Sequence, residues 1–148
     1  MSGAKQNASI NLARDICLKL IERRAIAPDQ LAGAMALLSG NAEKLFLETR
    51  DGGGLWLVRL GRDLTVKMIE CSLIGSLGAA SAALTENVRL LAGISARLDR
   101  ESAPAALNAA RDLSLKLLET GRLSRAALPE LLEELALSVG ASLKEEPE

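Results

Sequence analysis

The chain has 148 residues, enough for one domain with a sizeable core, and 49% of them are apolar. Leu (30) and Ala (24) dominate, Phe46 and Trp56 are the only aromatics, and 18 basic residues nearly balance 19 acidic ones. The absence of His excludes imidazole ligands, imidazole proton shuttles and the Ser-His and Cys-His dyads, while two aromatics and a net charge of -1 supply neither base-stacking platforms nor a general polyanion surface.

Leu and Ala favour helix and the strand-forming residues are scarce, so an all-α fold is expected, as a single domain over residues 1–148. In chain order, the opening MSGAKQNASINLARD lacks the continuous apolar stretch of a secretory signal. Helices follow near 9–24 and 28–48, the second opened by Pro28, which suits a first helical turn. After the loop residues TRDGGG (49–54) come helices near 57–71 and 75–98, with Thr85 and Glu86 placed to break the longer one. The run Leu45–Leu47, the DGGG turn and Leu55–Val58 also fit a small β-hairpin over 45–58. The loop DRESAP (99–104) leads to helices near 105–120 and 125–143, the last capped by Ser124. The longest uncharged run, Cys71–Thr85, has 15 residues, short of a bilayer span, so no membrane insertion is expected. Two cysteines in apolar helical patterns fit buried, reduced thiols and a cytoplasmic protein.

The chain also repeats itself. Residues 14–22 read RDICLKLIE, 62–70 read RDLTVKMIE and 111–119 read RDLSLKLLE, at offsets of 48 and 49. The fourth position is always small (Cys17, Thr65, Ser114), and four residues past each Glu stands an aliphatic residue, Ile26, Ile74 or Leu123. The reading is three αα-hairpin repeats of about 48 residues, near 9–48, 55–98 and 105–143. On a helix, Asp15, Lys19 and Glu22 fall within about 60° of one another, a thin charged stripe on an otherwise apolar cylinder. Asp15 and Lys19 have the spacing of an i,i+4 ion pair worth about 0.3 kcal/mol. The small fourth position faces away from that stripe, where a close helix crossing is expected, with any hydroxyl bonded to the carbonyl one turn back. Gly75, Gly78 and Ala79–Ala83 are read as further close packing.

Two hairpin-length resemblances are present. LSRAALPELL, from Leu123, resembles the N-terminal region of Ros/MucR-type regulators, and LKLIERRAIAPDQLAGAM (Leu18–Met35) is similar to the N-terminal helical hairpins of type II secretion and pilus ATPases. The first implies a DNA-associated regulator, but the Cys/His zinc site of that family cannot be built without His, so only an interaction role carries over. The second implies a cyclic-dinucleotide ligand at an RLG segment, here Arg59, Leu60 and Gly61; the spacing departs from the family after Leu64.

No catalytic constellation stands out. Glu130, Glu133 and Glu134 share a helix face, but carboxylate metal sites of this kind need Glu-x-x-His partners, so a solvated acidic face is expected and no metal or cofactor. Cys17 on an apolar face lacks the environment of an activated thiol. Arg14, Arg62 and Arg111 are candidate interaction residues, or else each pairs with its own Asp. The function expected is a non-catalytic helical-repeat adaptor or regulatory subunit, a homodimer through its first repeat, with an unknown protein partner and no nucleic acid. Binding of an apolar or cyclic-nucleotide ligand between helices is the alternative. The third repeat, with five basic and nine acidic residues from 101 onward, is expected to face water.

Overall fold

The computed structural model describes residues 2–49 and 53–145. These form six helices: α1 (Ser2–Glu22), α2 (Leu31–Thr49), α3 (Gly53–Glu70), α4 (Leu77–Arg97), α5 (Ala103–Glu119) and α6 (Leu128–Glu145), with a 3-10 turn at Pro28–Gln30 ahead of α2. The fold is all-α, with no strand among the described residues. None of the helices described is long and apolar enough to cross a membrane.

The hairpin alternative over 45–58 is overturned, because residues 45–49 close α2 and 53–58 open α3. The reason lies in the period: Leu38, Ala42, Leu45 and Phe46 are all buried, at spacings that share a face only in a helix. Residues 50–52 of the expected turn lie outside the described residues. Helix α4 runs unbroken through Thr85 and Glu86. The Thr85 hydroxyl donates to the Ser81 carbonyl (3.2 Å) and accepts from Asn41 Nδ2 (2.9 Å), so it serves packing rather than a cap. Helix α1 begins at Ser2, earlier than expected, since nothing between Ser2 and Ser9 stops a helix.

The chain divides into two compact units, one ending at Val88 and the other starting at Arg89. In the first, α1 and α2 form a hairpin and α3 packs on both. Its core is Leu12, Ile16, Leu20, Leu38, Leu64 and Ile69, with Leu84 and Val88 from the first part of α4. In the second, α5 and α6 form a hairpin around Leu107, Ala110, Leu118, Leu132 and Ala136. Arg97, at the end of α4, donates to Glu133 of α6.

The same turn closes α1, α3 and α5. Arg24, Ser72 and Gly121 have φ of 59°, 62° and 74°, each ten residues beyond the Arg that opens its segment. Each donates its N–H to the carbonyl three back (Ile21, Ile69, Leu118), and the next residue donates five back (Leu20, Met68, Leu117). This is the Schellman arrangement, which satisfies carbonyls that a helix end leaves open. The aliphatic residue two positions past the left-handed one, Ile26, Ile74 or Leu123, is buried in each case. The following helices start on side-chain acceptors. Gln30 Oε1 accepts from Ala27 N–H (2.7 Å), Ser76 Oγ from Ala79 N–H (3.1 Å) and, as expected, Ser124 Oγ from Ala127 N–H (3.2 Å).

The small fourth positions Cys17, Thr65 and Ser114 are fully buried. Thr65 Oγ1 donates to the Gly61 carbonyl one turn back (2.8 Å) and accepts from Asn87 Nδ2 (3.1 Å). Ser114 departs from the expectation, for its hydroxyl has no partner. The position 49 residues past Asn87 is Ala136, buried but unable to bond. The close crossing expected at the fourth position is found beside Thr65, where a Cβ on Gly61, one turn back, would collide with Val88 of α4; of the small residues of the middle segment Ala80 and Ala83 are fully buried, but a Cβ on Gly75 or Gly78 would meet nothing.

Two stability outcomes follow. An L-residue at positive φ costs on the order of 1 kcal/mol, so Gly121→Ala should lower unfolding stability by about that much and Arg24→Gly should raise it, measured by urea titration. Ser114→Ala removes a buried, unbonded hydroxyl and should be stabilising by up to ~1 kcal/mol, whereas Thr65→Ala, which strands Asn87, should be destabilising by ~1–3 kcal/mol.

Candidate interaction surface

The charged stripes of α1 and α3 meet. Arg62 holds Asp63 Oδ1 through Nε and Nη2 (2.9 and 2.6 Å) and extends Nη1 to Asp15 Oδ2 of α1 (2.9 Å). Lys19 Nζ of α1 reaches Glu70 Oε2 of α3 (2.7 Å) and, less closely, Glu22 Oε2 (3.4 Å), while Lys67 Nζ approaches Glu70 Oε1 (3.2 Å). Asp15 and Lys19, spaced for an i,i+4 pair, are thus taken up by Arg14 and Arg62 and by Glu70 and Glu22 respectively. The reason is geometric. The stripe is only partly exposed, and the neighbouring helix brings opposite charges within reach of it.

Lys19 holds the Glu70 carboxyl below the usual carboxylate range; partial desolvation opposes the shift, and Lys67 adds to it. The Glu70 hydrogen bond in turn raises the Lys19 pKa. Burial pushes the Cys17 thiol up, the opposite of nucleophile activation. Cys71 is partly buried, and both thiols are free.

The three arginines each bond the Asp that follows: Arg14 to Asp15 (3.0 and 3.2 Å), Arg62 to Asp63, and Arg111 to Asp112 (2.8 and 3.0 Å). Arg62 also reaches Asp15 on a second helix of its unit, and Arg14 is more than half exposed. Of the RLG residues, Arg59 is exposed in mid-α3, but Leu60 and Gly61 are buried. None of the three lines either of two open hollows of about 320 and 430 Å³ that lie beside the first turns, around Arg24 and Ala25. In α6, Glu130 and Glu134 are exposed and Glu133 is engaged by Arg97. Among the described residues no cluster of Cys, Asp and Glu is placed to hold a metal ion.

What residue-type reasoning missed is apolar exposure. Of seven large apolar side chains exposed among the described residues, five belong to the first hairpin: Ile10 and Leu18 on α1, Leu31, Leu37 and Leu47 on α2. The others are Leu113 on α5 and Leu143 on α6, so the acidic third segment presents more than charge to its surroundings. No family model matches the chain, and neither does any curated protein or solved structure.

The Glu70 network has a pH signature. A carboxyl whose folded pKa is depressed contributes stability that is fully present above its unfolded value, near 4.3, and is lost as pH falls through the folded value. Because Glu70 is about a third exposed, Glu70→Gln should cost ~1 kcal/mol or less at neutral pH. Urea unfolding curves of the two proteins should converge as pH is lowered below about 4.

Proposed function

We propose that the chain is a non-catalytic helical interaction protein, a small adaptor or regulatory subunit, which self-associates through the outer face of its first hairpin. The observation that carries this reading is the concentration of exposed apolar side chains on α1 and α2. Single exposed leucines are ordinary on a protein surface, but Leu37 and Leu47 stand on one exposed face of α2 beside Ala36 and Gly40. Helical hairpins bury their apolar faces only on neighbours, so exposed leucines interspersed with Glu43 and Lys44 suit a surface that meets a partner.

The side-chain chemistry supports a non-catalytic role. The buried cysteine is held away from its reactive form, and Asp15 and Lys19 of α1 are paired with Arg62 and Glu70 of α3. Free thiols, one of them fully buried, suit a reducing compartment such as the cytoplasm.

Sedimentation velocity of the full chain tests the reading. Between about 1 and 100 µM the weight-average coefficient should rise, as for an association of about −6 to −8 kcal/mol. A single monomer boundary across that range would remove self-association from the proposal.

A further inference from the structure

We propose that the chain associates head to tail, with α5 of one molecule receiving α1 of the next in the way α1 receives α3 within the molecule. This inference rests on the self-association reading and names the surface that the first hairpin meets.

The contact inside the first unit is the template. There α1 offers Asp15 and Lys19, and α3 answers with Arg62 and Glu70. Both answering residues lie on one ridge of α3, at i and i+8, together with Val58 at i−4, which is fully buried. The matching ridge of α1, 48 residues earlier, is Ile10, Arg14, Leu18 and Glu22. That ridge stands open: Ile10 is 43% and Leu18 54% exposed, and the Arg14 and Glu22 side chains are 57% and 62% exposed.

The other half of the contact is open on α5. The residues matching Asp15, Ile16 and Lys19 are Asp112, Leu113 and Lys116. Ile16 and Leu64, at the same place in the first two segments, are fully buried, whereas Leu113 is 50% exposed. The Asp112 side chain is 65% exposed and Lys116 is exposed. Helix α1 therefore shows Arg and Glu around an apolar ridge, and α5 shows Asp and Lys beside an exposed Leu. These are the two halves of the α1–α3 seam, in the same order and of opposite sign, so the occupant that fits each is a second copy of this chain. When two molecules meet through one such contact between unlike surfaces, one surface of each kind stays open for a further copy, so association propagates into a chain or closes into a ring.

The test uses two blocked full-length variants, Arg14→Glu with Leu18→Ser on α1, and Leu113→Ser with Lys116→Glu on α5. All four positions are exposed, and circular dichroism checks that each variant folds. In light scattering, wild type should grow beyond dimer with concentration, and each variant alone should lose affinity by about tenfold or more. Mixed in equal amounts, the two variants should form a 1:1 dimer and stop there, because each retains the end that the other needs. Growth of the α5 variant that matches wild type, or a wild type that halts at a dimer lost only in the α1 variant, would overturn head-to-tail association and leave self-association through the first hairpin standing. Monomeric wild type would overturn both.

Discussion

The seam between α1 and α3 constrains everything that surrounds it. From Asp15 to Lys19 is about 6 Å along α1, and from Arg62 to Glu70 about 12 Å along α3, both in the same chain direction. The two helices therefore run parallel, and the long Arg and Lys side chains take up the difference in rise. Parallel neighbours joined through α2 require α2 to return antiparallel, which is the hairpin observed. Half-exposed ion pairs supply little net stability. Their effect is on register: sliding α3 by one turn would set Arg62 and Glu70 away from their partners, and would also lose the fit of Gly61 against Val88 and of Thr65 with Asn87.

A register of this kind is useful only if each helix ends at a fixed place, and the left-handed turns provide that. In all three, the same pair of backbone bonds closes the helix and carries the chain to a buried Ile or Leu. Only the third uses glycine. Arg24 and Ser72 adopt the same conformation at an energetic cost, which the buried Ile26 and Ile74 just beyond them offset.

Much of this was legible in the sequence. The recurring Arg-Asp, Lys and Glu located the first helix of each hairpin, the small fourth position marked full burial, and Pro28 and Ser124 marked helix starts. What was not legible is what depends on a partner helix. Asp15 and Lys19 have the spacing of a pair within one helix, and only the proximity of α3 redirects them to Arg62 and Glu70. The glycines of the middle segment announce close packing by their number, yet the crowded one is Gly61, adjacent in sequence to Arg62, while Gly75 and Gly78 have open space around them. Ser114 reads like Thr65, but its hydroxyl has no partner, whereas that of Thr65 donates to the Gly61 carbonyl and accepts from Asn87 of another helix.

Exposure of Leu113 is the clearest case of this kind. Its sequence neighbours match those of Ile16 and Leu64 almost letter for letter, so no local pattern separates a buried aliphatic residue from an exposed one. The difference lies in what packs against each position, which the local sequence does not record. Leu113 on α5, and Ile10 and Leu18 on α1, are thus exposed apolar side chains flanked by charges of complementary order. On the head-to-tail proposal these two surfaces cover one another in neighbouring copies, so the residue types exposed on α1 and α5 become the residue types buried in a seam like that of α1 and α3.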